Sequence, residues 1–312
     1  MDAVLNVVLP VFGIMLAGYL AGRFNILGES SGEALNAFVY YVSLPALFIV
    51  SMSRVEVAQI FNTQYLLAIG GGILGTFGVA MLVATFAFPN RIGALGLNGL
   101  TAVFSNTGYM GIPLLLLAFG ERAALPGVIA TVLNGTVVLA LATVIIEVDL
   151  NQKSGGLAIL RNAVMGVFSS PLVMSALVGL LFSAAGIPLP VAVSAFCDLL
   201  AASAGPCALF AMGLFMVGRS FTAGAGEISV LVLLKLILHP LLAAWLAFGV
   251  MDMDPVWAAS AVIMASLPTG ALVFVLAQRY DIYTQRSTAT IMISTVVSVV
   301  TISALLNLLR IS

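Results

Sequence analysis

The sequence predicts an all-α membrane protein with ten transmembrane helices, arranged as two inverted repeats of five helices each. Three observations predict this fold class: the composition, ten long apolar segments, and the spacing of the prolines. Of the 312 residues, 62% are hydrophobic and only 7% are charged, whereas soluble domains carry about 25% charged residues. A soluble protein of this composition would have almost no polar surface, so the chain falls into the membrane class.

Ten apolar segments are long enough to cross a bilayer, which takes about 20 residues. We place these spans at residues 3–22, 34–52, 64–88, 95–118, 124–148, 166–185, 189–217, 228–249, 256–277 and 287–308. The first segment has neither a basic leader nor a clear cleavage site, so we expect a retained span and not a signal peptide.

Lysines and arginines are distributed unevenly between the loops on the two sides of the membrane. Loops after the odd-numbered spans hold Arg23, Arg91, Lys153, Arg161, Arg219, Arg279 and Arg286, whereas the opposite side holds Arg54, Arg122 and Arg310. Because short cytoplasmic loops carry an excess of basic residues, both termini are predicted to lie outside the cytoplasm.

Prolines recur at matching positions in the two halves of the chain. Pro10 and Pro171 are 161 residues apart, as are Pro45 and Pro206, and SLPALFIVSM around Pro45 is similar to AGPCALFAMG around Pro206. The predicted repeats are residues 1–150 and 165–312. Because each repeat has an odd number of spans, the second enters the membrane from the other side, and a pseudo-two-fold axis in the membrane plane relates the two. A chance coincidence of prolines is the alternative.

Spans 4 and 9 each contain a polar segment that interrupts the helix, SNTGYMGIP at 105–113 and ASLPTG at 265–270. A proline inside a helix costs about 3 kcal/mol, and freed backbone groups persist in a membrane only where protein or a wet cavity covers them. Two breaks at matching positions of inverted repeats are expected to meet near the midplane, where secondary transporters bind substrate. Two ordinary proline kinks with internal capping are the alternative.

The broken helices would present free N–H groups, which attract anions. Pro113 and Pro268 suit the first turn of the second half-helices, and nearby hydroxyl and amide side chains are expected to cap the ends or contact a ligand. The predicted substrate-binding residues are Asn106, Thr107, Gly108, Tyr109, Gly111, Pro113, Ser266, Pro268, Thr269 and Gly270, assisted by Lys235.

These two segments resemble motifs of the auxin efflux carriers. SNTGYMGIPLL is similar to their fourth-span motif, in which an Asn-Thr pair precedes Met-Gly-x-Pro-Leu. SLPTGALVFVLAQRY is similar to their ninth-span motif, Leu-Pro-x-Gly followed by Phe-Val-x-Ala and a tyrosine, and STATIMISTVVS continues the similarity. Asn106, Pro113 and Pro268 occupy matching positions, and the ten-span pattern extends the resemblance over the whole chain. The short connection at 150–165 resembles bacterial members, so a bacterial cytoplasmic membrane is expected.

The resemblance implies that spans 4 and 9 unwind and cross, and that a carboxylate binds at the crossing. It implies a scaffold of spans 1, 2, 6 and 7 that forms a homodimer, and a transport unit of spans 3–5 and 8–10 that moves like an elevator. Bacterial relatives assigned to malonate or malate make a small dicarboxylate the leading substrate class.

Span 3 departs from the plant carriers, which place an acid and a lysine there near the site. Here the span is uncharged and contains glycines instead. The acid and the lysine that assist the substrate site in the plant carriers are therefore missing from span 3, and an auxin-like role of this span is in doubt. The glycines are expected to let another helix pack closely. They are Gly70, Gly71, Gly72, Gly75 and Gly78.

Three ionisable residues are predicted inside the membrane, where such groups are costly and mark functional sites. Lys235 in span 8 is predicted to supply the charge that span 3 lacks and to hold a substrate carboxylate, directly or through the crossing. Snorkelling to the cytoplasmic side or pairing with a carbonyl is the alternative. Asp198 in span 7 is a coupling candidate. It is expected to form an ion pair with Lys235, to bond to the backbone as a protonated acid, or to act as a proton-coupling site. His239, four residues after Lys235 on the same face, is a second coupling candidate or a hydrogen-bonded structural residue.

Together these patterns predict a secondary transporter of a small organic anion, a carboxylate such as malonate, malate or auxin. The net charge of −1 provides no field for nucleic acid, and the sequence has no nucleotide-binding loop for ATP-driven transport. We expect no enzyme, cofactor or metal site, since paired acids, a metal cluster and a base near a nucleophile are all lacking. A sodium- or proton-coupled carrier resembling the bile-acid symporters is the alternative, and a channel is a third class.

Overall fold

The apolar segments of the sequence form helices, as expected for a chain that must satisfy its backbone hydrogen bonds without water. A computed structural model describes residues 9–28, 30–54, 61–150, 171–218, 224–251 and 253–309. Within these ranges there is no β-strand, and the one β-type contact is an isolated antiparallel bridge. The all-helical class is therefore confirmed.

The α-helices of the described residues are numbered in chain order. They are α1 (Leu9–Arg23), α2 (Ser31–Phe38), α3 (Leu44–Ser53), α4 (Thr63–Ala87), α5 (Ile92–Val103), α6 (Ile112–Phe119), α7 (Ala124–Leu133), α8 (Leu139–Leu150), α9 (Pro171–Ala184), α10 (Val191–Phe215), α11 (Ala225–Leu233), α12 (His239–Ala244), α13 (Pro255–Ser266), α14 (Leu272–Arg279) and α15 (Thr284–Leu308). Short π-helical turns join α2 to α3, α7 to α8 and α11 to α12, and another precedes α6.

Three of these π-helical turns end immediately before an α-helix that carries proline at one of its first positions. The prolines are Pro45, Pro113 and Pro240. A proline cannot donate the backbone hydrogen bond of a continuing helix, and its ring clashes with the preceding turn. In each case the wider π-helical turn stands where the proline removes an α-helical hydrogen bond.

Six helical runs of the described residues are long and apolar enough to cross a membrane, compared with the ten spans predicted. They are Ser31–Ser53, Thr63–Ala87, Thr107–Leu133, Val191–Phe215, Ala225–Val250 and Thr284–Leu308. Five of them coincide with predicted spans 2, 3, 7, 8 and 10. The run Thr107–Leu133 covers the end of span 4 and the start of span 5, and it turns at Gly120, whose φ of +68° does not fit a continuous helix.

Shorter helices stand at the remaining predicted spans. Spans 4 and 9 begin with α5 and α13, of 12 residues each, because the predicted breaks end both helices. Residues 3–8 of span 1 and 166–170 of span 6 lie outside the described residues. So do Lys153, Arg161, Arg219 and Arg310 from the charge pattern.

Two helix pairs pack so closely that glycine is required at the contact. On α1 and α10, a methyl group at Gly18 would overlap the carbonyl oxygen of Phe210, and one at Gly213 would overlap that of Met15. On α3 and α9, a methyl group at Gly179 would lie 2.5 Å from the carbonyl oxygen of Ile49. In both pairs the backbones touch, as small residues allow in membrane helix pairs.

The glycines of span 3 also behave largely as expected. Gly72 lies against Ala243 of α12, while Gly71 and Gly75 face the side chains of Leu246 and Leu242. Gly70 and Gly78 face open space. The predicted close approach is therefore made by one face of α4 and places the C-terminal half of span 8 beside span 3.

Candidate functional site

The two predicted breaks meet and form hydrogen bonds with each other. The amide of Asn106 donates to the carbonyl of Pro268 at 2.9 Å, and the amide of Gly270 donates to the carbonyl of Phe104 at 2.9 Å. These bonds flank an antiparallel bridge between Ser105 and Thr269. Backbone groups that the breaks release are thus satisfied across the contact, as burial requires. The alternative of two separate, internally capped kinks is wrong.

Side chains from two other helices support the bridge from behind. The amide Nδ2 of Asn134, which follows α7, donates to the carbonyl of Ser105 at 2.7 Å. The hydroxyl of Ser294 in α15 accepts from the amide of Thr269 at 3.1 Å. The Thr269 hydroxyl in turn donates to the carbonyl of Thr101 at 2.9 Å. Each break therefore has one polar support from the span that follows it.

Lys235 lies directly behind the crossing and is fully buried. Its Nζ donates to the carbonyl of Ala265 at 2.6 Å and to the Ser105 hydroxyl at 2.8 Å. The predicted contact with the crossing is thus present, through Ser105, and so is the alternative bond to a carbonyl. Snorkelling is wrong, because no part of the side chain reaches the surface.

His239 is also buried and lies 3.1 Å from Lys235, measured from Nδ1 to Nζ. The hydrogen-bonded structural role considered for His239 agrees with this contact.

Asp198 does not lie where the sequence suggested. Its carboxylate pairs with Arg54 at 2.7 Å and accepts from the Ser194 hydroxyl at 3.2 Å. The side chains of Arg54 and Asp198 are 54% and 45% exposed. The predicted burial of Asp198 and its pairing with Lys235 are therefore wrong. Asp198 lies on an exposed part of α10, where Arg54 at the end of α3 is its ion-pair partner, whereas Lys235 is buried at the crossing.

A cavity of about 260 Å³ opens in front of the bridge, between the breaks and α2, α3, α9 and α10. Five of the predicted site residues line it: Asn106, Thr107, Gly108, Tyr109 and Gly270. The Asn106 Nδ2 atom is buried and has no hydrogen-bond partner within the described chain. Asn106 thus lines the cavity and carries a buried donor for which the described residues supply no acceptor.

The other predicted site residues lie behind or beside this cavity. Ser266 bonds to the carbonyl of Ile263 in its own helix, and Pro268 and Thr269 take part in the bridge. Gly111 packs against Met264 and Leu267. Pro113 lies against Gly205 of α10, in a separate apolar cavity of about 300 Å³ that Ala201 and Ala204 also line. These residues position the crossing.

The sequence interpretation missed the opposite wall of the cavity and the two supports. The wall carries Glu33, Asn36 and Tyr40 of the second span, whose spacing of three and four residues is typical of one helix face. The supports are Asn134 and Ser294. A signal was available for Asn134 and the wall residues, since each is a polar side chain within or at the edge of an otherwise apolar span.

A second missed cluster joins three helices at the start of α11 and α15. Buried Glu227 pairs with Arg286 at 3.1 Å, and it accepts from Asn98 Nδ2 at 2.9 Å and from the Tyr283 hydroxyl. Burial, reinforced by the bond to Glu227, raises the pKa of the Tyr283 phenol above its ordinary value, so the phenol remains a donor. The cluster fixes α5, which leads into the first break, to α11 and α15.

Comparison with known proteins identifies the family of the chain. A family model described as "Membrane transport protein" matches residues 3–306. The chain is 33% identical over 314 residues to a Rhizobium meliloti (strain 1021) protein named "Putative malonate transporter", with 99% of this chain and 97% of that protein covered. It is 27% identical to "Uncharacterized transporter YfdV" of Escherichia coli (strain K12), over 94% of this chain and 93% of that protein.

A third similar protein is "Lysosomal cholesterol signaling protein" of Mus musculus, 28% identical over 250 residues that cover 75% of this chain but 28% of that protein. The match of the family model spans nearly the entire chain, as the resemblance of the two broken segments had suggested. The chain therefore belongs to the membrane transport protein family, that of the auxin efflux carriers.

Proposed function

We propose that this membrane transporter is a secondary carrier of a small carboxylate, which binds in the cavity in front of the bridge. The observation that carries the proposal is the buried, unpartnered Nδ2 of Asn106. Leaving a buried donor unsatisfied costs about 1–3 kcal/mol. A carboxylate oxygen would remove that cost through a charge-assisted hydrogen bond, which is stronger than a neutral one.

Lys235 supports the preference for an anion. Its Nζ donates to Ser105, a residue that also lines the cavity, and no acid is paired with it among the described residues. In its protonated form, Lys235 would place a positive charge one side chain behind the cavity and favour negative charge in front of it. Lys235 would therefore act on the substrate through the crossing and not by direct contact.

The packing of the helices supports the proposed inverted repeat of ten spans. The two glycine-mediated pairs, α1 with α10 and α3 with α9, correspond to spans 1 with 7 and spans 2 with 6. A pseudo-two-fold axis would exchange one pair for the other. The supports Asn134 and Ser294 belong to spans 5 and 10, which the same axis would exchange. We propose repeats at 1–150 and 165–312 on this basis.

The cavity lies between the two groups of helices that the proposed mechanism separates. The breaks and span 5 form one wall, and spans 2, 6 and 7 form the other. Movement of spans 3–5 and 8–10 against a scaffold of spans 1, 2, 6 and 7 would carry such a site across the membrane. We propose this elevator movement, a homodimer through the scaffold, a bacterial cytoplasmic membrane, and termini outside the cytoplasm.

Malonate is the substrate we propose to test first. The relative from Rhizobium meliloti carries malonate in its name, and a cavity of about 260 Å³ is slightly below the usual range of about 300–1,000 Å³ for small-molecule sites. A dicarboxylate of three carbons fits that size better than a large aromatic acid.

Coupling to sodium or protons is retained as a second candidate, because one buried acceptor has no partner. Asn134 Oδ1 lacks a hydrogen bond within the described residues, and Asn134 borders a cavity of about 20 Å³ with Thr107 and His239. That volume holds about one water-sized particle. Uptake measured in sodium and in choline buffers, at two pH values, separates the alternatives. Asp198 stays a prediction as a coupling residue, now with Arg54 as its partner.

The proposal is tested by uptake of radiolabelled malonate into liposomes that contain the purified protein. We expect saturable uptake, and in Lys235→Gln a loss of affinity of about tenfold, since about 1.4 kcal/mol of favourable interaction corresponds to that factor. Glu121→Gln, an exposed change outside the cavity, is the control. Wild-type affinity in Lys235→Gln would show that Lys235 does not contribute to binding of the carboxylate. Flux that never saturates would indicate a channel, and absence of flux for every carboxylate would refute the proposed function.

A further inference from the structure

The charge distribution around the cavity narrows the class of substrate. Of the described residues that line the cavity, Glu33 is the only charged one, and it is acidic. No lysine or arginine is among these lining residues, so a second carboxylate at that wall would meet a negative group and no cation.

Glu33 lies on the side of α2 that lines the cavity opposite the breaks. Asn36 follows it by three residues and Tyr40 by seven, and all three line the cavity together with Asn106 on the other side. The Glu33 side chain forms no hydrogen bond or ion pair within the described part of the chain. Its carboxylate is therefore available to a ligand as an acceptor.

The cavity thus has two chemically different ends. At the bridge, Asn106 Nδ2 offers a donor without an acceptor, and Lys235 lies behind Ser105. At the α2 wall, Glu33 offers an acceptor with a negative charge. A ligand that satisfies both ends has a carboxylate at one end and a hydrogen-bond donor at the other.

We infer that Glu33 determines specificity and that the transported species is a monoanion of this kind: a half-protonated dicarboxylic acid, or a carboxylate with an amide or hydroxyl group. This inference rests on the proposed function and defines its substrate. A fully ionised dicarboxylate is disfavoured, since two unit charges about 4 Å apart in water repel enough to weaken binding about fivefold.

The test compares two ligands of malonate length that are both monoanions. Malonamate carries an amide donor at its far end, whereas monomethyl malonate carries an ester that donates no hydrogen bond. Binding to the purified full chain is measured calorimetrically at pH 7.5. We expect the wild type to bind malonamate about fivefold more tightly, as the typical net contribution of one hydrogen bond predicts.

Two variants locate the effect at Glu33. Glu33→Ala removes the acceptor and is expected to bind the two ligands equally. Glu33→Gln removes the charge and is expected to bind fully ionised malonate, at pH 8, about fivefold more tightly than the wild type does. Glu121→Gln and Glu121→Ala are the matched controls, because Glu121 is exposed and does not line the cavity. An unchanged thermal unfolding temperature shows that each variant is folded.

The outcomes separate this inference from the proposed function. Equal binding of all three ligands by the wild type, or discrimination that persists in Glu33→Ala, refutes the inference. Tighter wild-type binding of ionised malonate than of malonamate also refutes it and assigns the second carboxylate to Asn36 and Tyr40. In each of these cases the transporter proposal stands, provided that Asn106→Ala weakens binding. No binding of any carboxylate by the wild type refutes both.

Discussion

The two breaks form one bridge, but their side chains are used differently. In the second break, the Ser266 and Thr269 hydroxyls donate to carbonyls of the protein, and the Thr269 amide donates to Ser294. In the first break, Asn106 Nδ2 is buried without a partner within the described residues, and the Ser105 hydroxyl accepts a hydrogen bond from Lys235 Nζ. The second break therefore satisfies its own polar groups, whereas the first leaves a donor for something else.

This difference indicates that the two breaks have different roles: the first has a group available for ligand binding, and the second holds the bridge in place. A donor that stays unsatisfied in the empty protein lowers stability and is compensated when a ligand binds. Groups that are already satisfied hold the bridge in place. We therefore expect substitutions in the first break to affect binding, and substitutions around the second break to affect folding.

The largest effect is expected for Asn106→Ala. Removing the donor should weaken carboxylate binding by about 1.5–3 kcal/mol, the value of a hydrogen bond to a charged group, while the thermal unfolding temperature in detergent stays the same or rises. Calorimetric titration and a thermal unfolding scan measure the two quantities. Asn307→Ala, an exposed change near the end of α15, should alter neither. A lowered unfolding temperature with unchanged affinity would mean that Asn106 stabilises the bridge and does not bind the carboxylate.

An intermediate effect on stability is expected for Ser294→Ala. The Thr269 amide would lose its acceptor, which costs about 1–3 kcal/mol for a buried group. Asn134→Ala should cost less, because the Ser105 carbonyl keeps a bond from the Thr107 amide at 2.8 Å and an unpaired Oδ1 is removed. Thermal unfolding of the two variants and of Ser298→Ala, a buried serine bonded only within α15, tests the ranking. Equal losses in all three would mean that the supports are not specific to the bridge.

The smallest effect is expected for Thr269→Val, which keeps the shape of the side chain but removes its hydroxyl. The bond to the Thr101 carbonyl would be lost, at about 0.5–1.5 kcal/mol of stability, with carboxylate affinity within about twofold of the wild type because the cavity is untouched. Thr85→Val, an exposed threonine bonded to Met81, is the control. A tenfold loss of affinity in Thr269→Val would contradict the division between the two breaks.

The sequence was most informative where local chemistry decides the structure. Proline and glycine next to polar side chains inside apolar spans located both breaks, since a proline removes a helical hydrogen bond and polar groups in lipid need cover by protein or a wet cavity. The proline spacing then predicted that the breaks meet, and the Ser105–Thr269 bridge agrees. Lys235 was expected at the crossing because an ionisable group inside the membrane marks a functional site and span 3 is uncharged; its bonds to Ser105 and the Ala265 carbonyl agree with that expectation.

The sequence was least informative where partners come from distant parts of the chain. Asp198 seemed buried because its neighbours are apolar, but lipid-facing and core-facing residues are equally apolar in a membrane helix. The α2 wall was missed because Glu33 lies just outside predicted span 2 and Asn36 lies near its edge. Only the fold shows that these residues line one cavity with Asn106.

The face that α10 presents to α6 differs from the face that it presents to α1. Toward α1, the contact at Gly18 and Gly213 joins backbone to backbone, so a slip of one residue, about 1.5 Å, would drive a side chain into a carbonyl. Toward α6, α10 presents Ala201, Ala204 and Gly205, with the Pro113 ring 3.1 Å from where a methyl group on Gly205 would stand. Such a surface lacks the ridges and grooves that fix helix register. One helix thus combines a close backbone contact with a smooth surface of small residues. In the elevator movement that we propose, larger side chains at Ala201 or Ala204 would hinder the passage of α6 along α10 while leaving the substrate cavity unchanged.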